Sequence, residues 1–383
     1  MNDIKSNQTP FIHTFSLETI LTFIEAERIW QTYNMDNLKN NNDEFCVMKF
    51  AKNGLRIYFK YRTEKEIQYD KEHAEVKVEW IVTPYKVLHE GQPMGEITLL
   101  EEMKQVLIQL TQIFEQIEKE TNTFFTKKLK MRRIDLTRDI PTPSTIYSRE
   151  IISVCKATQL PYGYDFWIMT EKQKIENNWK EEVACLYKNK SKGIQGKIYD
   201  KNQNLQDFGH YPVETRQHKG LLRFEISLSR KCLKKQGLLD PGSSETSLFR
   251  VMEQASSLFN TYFLEIFDNG SMLSKSLLEK YIAKEFPTRN KKRTNMLDLN
   301  RIYNICRKKG LEFNPADFPG SVKKLRNIRK AYKEIHLSPI SLSDDCPYIP
   351  SFREMFYGIQ TNTFSNFAKK HTRGKEVAWN NEQ

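Results

Sequence analysis

Alternation with a period of two across residues 183–201 does most to limit what this chain can become. Val183 to Tyr187 is rich in strand formers, Ser191-Lys192-Gly193 supplies a reversal, and Ile194 to Lys201 reads as a returning strand. The segment therefore reads as a β-hairpin. Successive residues of a strand point to opposite sides, so Lys197, Tyr199 and Lys201 share one face, and Gly196, Ile198 and Asp200 the other. A phenol between two ammonium groups suits attack on a phosphodiester: the lysines hold the phosphate, and Gly196 leaves room for a backbone to approach. The same pattern also describes an ordinary half-exposed strand tyrosine between edge lysines. Carboxylates arriving beside it decide between the two.

Other strands carry such carboxylates. Residues 131–140 read Met-Arg-Arg-Ile-Asp-Leu-Thr-Arg-Asp-Ile before Pro141 and Pro143, which places Arg133, Asp135, Thr137 and Asp139 on one face. Leu221 to Leu228 turns Leu222, Phe224, Ile226 and Leu228 one way and Arg223, Glu225 and Ser227 the other. Glu75 to Thr83 is a strand with Val76, Val78 and Trp80 opposite Glu79, and Asn53-Gly54 marks a hairpin over 45–61. Tyr164 to Met169 is a further short strand.

Helical periodicity begins at Ser16 (Leu17, Ile20, Leu21, Ile24, Ile29). It is clearest behind the capping box Thr98-x-x-Glu101, where Leu99, Met103, Val106, Leu107, Leu110, Ile113, Phe114 and Ile117 form a stripe that packs across a sheet. Thr145 to Ala157 is also helical, as are segments near 245–267, 272–285 and 297–309. Over 321–337 the core stripe is Val322, Leu325, Ile328, Tyr332 and Ile335, with Lys323, Lys324, Arg326, Arg329, Lys330 and Lys333 on the remaining faces. These elements give an α+β fold, largely an antiparallel sheet, with helices on one face and the other face open as a floor. Residues 1–270 form that domain, and 271–383 a basic, mostly helical region.

Charge is distributed unevenly. The net charge is +12, yet residues 271–383 hold 22 Lys+Arg against 11 Asp+Glu and account for nearly all of it. A basic surplus confined to one region points to a polyanion, nucleic acid first. Six cysteines without a C-x-x-C pair argue against structural zinc and a disulfide scaffold and for a reducing cytosol. With no apolar run of spanning length and no signal-peptide core, the expected location is cytoplasmic, without a membrane partner.

Two or three carboxylates on neighbouring strands make an oxygen site for a hard cation, Mg2+ or Mn2+. Such an ion polarises a phosphate oxygen and helps a phenol attack at neutral pH. Each carboxylate has a simpler reading as a strand-face ion pair, Arg133 with Asp135 or Arg223 with Glu225. In order, however, R-I-D-L-x-x-D, I-Y-D-K and R-F-E-I-S-L resemble the three motif strands of the trans-acting initiators of rolling-circle plasmids. Relaxases of some integrative conjugative elements and gene II-type initiators of filamentous phages are similar in the same Y-x-K strand. The likeness covers about residues 75–230, and Lys197 stands where the family usually carries arginine.

That resemblance implies Tyr199 as nicking nucleophile with Lys197 and Lys201 beside it. It also implies Asp135 and Glu225 as metal ligands, with Glu79 and Asp139 as further acidic candidates, and a possible homodimer. Arg133, Arg223 and the six basic residues of 321–337 are the candidate DNA contacts. No G-x-x-x-x-G-K-[ST] is present, so a helicase, like the polymerase, is expected to be a host protein. The seven histidines include no H-x-H pair, which excludes the nickases built on that metal motif. Two other readings remain open: a non-catalytic DNA-binding regulator, and a nuclease that uses water.

Overall fold

A computed structural model describes residues 10–33, 46–50, 54–60, 74–89, 97, 99–167, 184–202, 220–288, 290–357 and 362–372. The chain is an α+β protein in which antiparallel strands are accompanied by numerous helices. It divides into two compact units, the first comprising residues 1–137, 192–194 and 226–258, the second 138–191, 195–225 and 259–383.

In the first unit the strands β1 (Phe11–Thr22), β2 (Cys46–Phe50), β3 (Leu55–Lys60), β4 (Glu75–Val82) and β5 (Lys130–Thr142) lie in the order β2-β3-β4-β1-β5. The pairs β1–β4, β1–β5, β2–β3 and β3–β4 are antiparallel. The Asn53-Gly54 signal is met by a hairpin in which Phe50 pairs with Leu55. Val76, Val78 and Trp80 are buried on one side of β4, as their alternation requires. The long helix Leu100–Thr121 buries Met103, Val106, Leu110, Phe114 and Ile117. It meets β4 through the Trp80 ring, 5.4 Å from Phe114, with Phe125 stacked at 4.3 Å.

The start of this unit differs from expectation. Phe11–Thr22 is a strand, and the helix begins only at Phe23, capped by Thr22 and Glu25. The helical spacing of Leu17, Ile20, Leu21 and Ile24 lost to a central position: β1 sits between two partners and buries Phe15, Leu17 and Leu21 at alternate sites. Ladder hydrogen bonds on both edges outweigh a local preference worth only tenths of a kcal/mol per residue. Thr98 of the expected capping box lies outside the described residues; the N-cap is Leu99, whose N–H donates to Glu102.

The second unit orders its strands β5-β9-β8-β7-β6, with β6 (Asp165–Phe166), β7 (Ala184–Asn189), β8 (Ile194–Asp200) and β9 (Gly220–Ser229). The hairpin β7–β8 turns where expected, and the helix Thr145–Ala157 has its expected bounds. β5 does not stop at Pro141 but runs on to Thr142, the proline being exposed. Of the short strand expected over 164–169 only Asp165–Phe166 is formed; residues beyond 167 lie outside the described set, as does the loop 203–219 with His210 and His218.

β9 is buried on both sides. On its apolar side Phe224 sits 4.9 Å from Phe263, 5.8 Å from Phe352 and 5.0 Å from Phe356. The C-terminal segments thus supply core to this unit, while Val322, placed in the core stripe by sequence, stands exposed in the first turn of helix Val322–Glu334. Among the described residues no helix is long and apolar enough to cross a membrane.

The space over Gly196 has a different occupant from the one expected. A Cβ built there lies 1.9 Å from Cζ of Tyr187, so the missing side chain admits a tyrosine ring and not an incoming nucleic-acid backbone. Tyr187 is fully buried and its hydroxyl donates to the carbonyl of Tyr262 at 2.9 Å, inside the π-helical turn Asn260–Leu264, where the wider turn alters the hydrogen-bonding of the carbonyls. Gly196→Ala is expected to lower stability by about 1–3 kcal/mol, because the ring must move and strain its hydrogen bond. Urea denaturation measures this, and an unchanged midpoint would contradict the packing.

Candidate active site

Strand alternation predicts that Lys197, Tyr199 and Lys201 share a face, and in the second unit that face meets residues of β5 and β9. Asp139 accepts from Arg223 through both carboxylate oxygens, Nε to Oδ1 and Nη2 to Oδ2, each at 2.6 Å. Lys201 Nζ reaches the same Oδ2 at 2.7 Å. Lys197 Nζ donates to Oε1 of Glu225 at 2.7 Å. Arg223 also hydrogen-bonds the Tyr199 hydroxyl, and Glu225 and Asp139 act on the same phenol, while the side chain as a whole is buried. Tyr199, Lys197, Lys201, Asp139, Arg223 and Glu225 form one network.

That network is not the open floor expected from sequence. Arg223 is 4% exposed, Glu225 6%, Lys201 7% and Tyr199 8%. Burial on this scale is tolerated because each charge has an opposite partner at hydrogen-bonding distance, so Coulomb attraction offsets desolvation. Lys197 is the most exposed of the network's ion-paired side chains, about one third open to solvent.

The environment sets the ionisation of each group. Burial alone would raise Asp139, but Arg223 and then Lys201 outweigh it and hold the carboxyl at about 2. Burial also works against the Arg223 charge, yet Asp139, the Tyr199 phenol and Glu225 raise its pKa, so it stays protonated. Burial pushes the Tyr199 phenol above the usual tyrosine range, Glu225 and Asp139 push the same way, and Arg223 opposes them. At neutral pH the phenol therefore keeps its proton.

The remaining candidates belong to the first unit. Asp135 Oδ1 is 3.1 Å from Arg133 Nε, the strand-face pairing that alternation allowed. Glu79 stands directly opposite Glu18 across β1–β4, a like-charge pair relieved by Arg132, which bonds Glu79, and by Lys77 on Glu18 at 2.8 Å. Of the basic residues on helix Val322–Glu334, Lys323, Arg326, Lys330 and Lys333 are exposed. Arg329 bonds the Tyr303 hydroxyl at 2.9 Å and lies over the Phe313 ring, and Lys324 lies over Phe318.

The expected hard-cation site can be tested against these donors. Both oxygens of Asp139 are taken by Arg223 and Lys201 and an oxygen of Glu225 by Lys197, whereas Asp135 meets Arg133 as an ion pair. Among the described residues no group of three or more His, Cys, Asp or Glu side chains is placed to share an ion. As arranged, a cation at Asp139 would first have to displace Arg223 and Lys201. Sequence reasoning had Asp139 as a metal helper and Arg223 as a DNA contact. Their pairing needed the adjacency of β5 and β9, which alternation within a strand does not reveal. The chain matches no protein-family model, and comparison with curated proteins finds no match.

Two outcomes follow for the protein without DNA. Asp139 has its pKa depressed from 3.8 to about 2, so its stabilising contribution is full above pH 4 and is lost as pH falls through about 2. The contribution is about 2 kcal/mol. Asp139→Asn should flatten that acid limb of a denaturation-versus-pH curve and destabilise the protein at pH 7 by about 3–5 kcal/mol, since Arg223 and Lys201 lose their counter-charge. An unaltered acid limb would show that the pairing is absent. Millimolar Mg2+ or Mn2+ should leave the melting temperature within about 1 °C, because ligand-induced stabilisation requires open donors; a rise of several degrees would mean that the ion displaces the lysine or arginine partners.

Proposed function

We propose that the chain nicks and rejoins one DNA strand at a specific site through a covalent 5′-phosphotyrosine on Tyr199, initiating rolling-circle replication of a plasmid, phage or mobile element. The observation that carries this reading is the network itself: a phenol hydrogen-bonded to Arg223, with Lys197 on its own strand face and Lys201 just past the end of the strand. Lys197, about one third open to solvent, is placed to exchange Glu225 for an anion, and a scissile phosphate is the anion a tyrosine can attack. The motif strands that suggested the chemistry are the ones contributing these side chains.

In this reading a phosphate takes Lys197 from Glu225, the exchange being cheap because Lys197 is partly solvated. Glu225 then accepts the phenolic proton; Asp139, held at about 2, is too weak a base to do so. Tyr199 Oη forms a bond to phosphorus while the bond from phosphorus to the 3′ oxygen breaks. The leaving oxygen is protonated from solvent and becomes the primer end for a host polymerase. Arg223 and Lys201 hold charge developing on the phosphate oxygens. Because the phosphodiester energy is retained in the tyrosyl ester, attack by a 3′-OH reverses the step and reseals the strand. The exposed Lys323, Arg326, Lys330 and Lys333 bind duplex phosphates, a host helicase opens the duplex, and the setting is cytoplasmic. A conjugative relaxase would use the same chemistry.

The ion pairs favour one competing reading: a DNA-binding regulator whose acidic strands serve only to pair with arginine and lysine. The two separate on one experiment. Supercoiled DNA carrying the element's origin is incubated with protein and Mg2+, denatured, and examined for protein joined to a 5′ end. Tyr199→Phe should keep DNA affinity within about twofold, since no charge changes, and abolish the adduct. An adduct that persists in Tyr199→Phe refutes the nucleophile, and a wild-type protein that binds the origin without any adduct leaves the regulator.

A further inference from the structure

Among the described residues of the second unit, Tyr162 is the most exposed large hydrophobic side chain, at 104% relative exposure, and nothing in the network above uses it. Its position is fixed by a tight turn. Tyr164 N–H closes on the Pro161 carbonyl at 3.0 Å, and Gly163 has φ +83, the left-handed value that a type II turn requires at its third position. Both ends of the turn are anchored. Leu160 N–H donates to Glu312 at 2.9 Å, and Tyr164 is buried beside Tyr187. A Cβ on Gly163 would lie 3.3 Å from the Asn189 amide nitrogen, which puts the turn against the end of β7. Tyr162 is thus an aromatic ring held out to solvent on a rigid support, where it gains nothing from burial.

Its surroundings are basic and aromatic. The turn leads straight into β6, the terminal strand in the order, where Asp165 pairs with Lys188 and Phe166 with Tyr187. Trp167 continues the pairing through its N–H to Leu186 and carries the Lys188 ammonium 5.7 Å above its ring. Lys190 follows at the exposed reversal of the hairpin. This edge therefore offers an open tyrosine face, a half-buried tryptophan and two ammonium groups within a few residues of one another along paired strands.

We propose that this edge of the second unit is a binding platform for single-stranded DNA, with Tyr162 stacking on a base and Lys188 and Lys190 taking the phosphates alongside. Interleaved rings and cations meet the two features every single strand presents, a π-face on each base and a charge on each linkage, without reading sequence. Duplex DNA keeps its bases stacked internally and has no face to offer Tyr162. Only the choice of DNA over RNA rests on the nicking reading; the stacking geometry does not.

The test uses the full chain and a labelled thymidine-only oligonucleotide, followed by fluorescence anisotropy. Tyr162→Ala should weaken binding about 5- to 100-fold, Tyr162→Phe should stay within about twofold of wild type, and affinity for a duplex of equal length should not change. A 5-iodouracil oligonucleotide should photocrosslink to Tyr162. Equal affinity of Tyr162→Ala and wild type, or an equal loss for duplex and single strand, would overturn the platform. Tighter binding of oligouridine than of oligothymidine would overturn its assignment to DNA. No covalent adduct at Tyr199 is read in this assay, so its failure and that of the nicking reading are separate results.

Discussion

A carboxylate gripped by two nitrogens of a buried guanidinium ties together β5, β9 and the end of β8 in the second unit. Asp139 on β5 receives Arg223 from β9 and Lys201 from the end of β8. Two parallel hydrogen bonds fix the plane and angle of the guanidinium as well as its distance, so Arg223 arrives at the Tyr199 hydroxyl with little freedom left. Stability alone is a poor account of such an arrangement. Apolar side chains of similar volume in place of a buried ion cluster often leave stability unchanged or raise it.

The polar face can be this charged because the other face of the same strand is wholly apolar. Along β9, Phe224 lies between Arg223 and Glu225 and reaches Phe263, Phe352 and Phe356 on the far side. Edge-to-face contacts of this kind add about 0.5–1.5 kcal/mol per pair beyond area burial. Next door, Tyr187 fills the gap at Gly196 and ties β7 to the π-helical turn at Tyr262. The apolar side positions the strands, and the charged side inherits that precision.

Much of this was legible in the sequence wherever local pattern and tertiary environment agree. Period-two alternation located β4, β8 and β9 and assigned the faces of Lys197, Tyr199, Arg223 and Glu225 correctly, because each of these strands has one side that must be apolar. It failed on β1, where an interior strand buries both sides over Thr14–Leu17 and its apolar residues also satisfy a helical spacing. It failed on Gly196 because absence of a side chain signals a close approach without saying by what. Partner choice was the least legible feature. Alternation gives the face of Asp139 but not that β5 lies beside β9, so a carboxylate that takes Arg223 and Lys201 reads equally well as a ligand waiting for a metal. Tyr162 had a visible signal in Pro-Tyr-Gly-Tyr, a turn that puts a ring at its second position, but exposure is a property of the fold and not of the turn.

Charge and burial together explain why the resting cluster is quiet. A phenol surrounded by low-dielectric protein and two carboxylates keeps its proton, and the guanidinium that opposes them is largely neutralised by Asp139. Under the nicking reading, an arriving phosphate would compete for Lys197, the most exposed of the paired cations, and so lift the charge compensation from Glu225 where that reading needs a base. Asp139 would not follow, since two donors hold it and its affinity for protons is far below neutral. On that reading the two carboxylates have different work: one fixes an arginine, the other is released on binding. Under the nicking reading, that asymmetry makes the phenol reactive only when the phosphate it attacks is present.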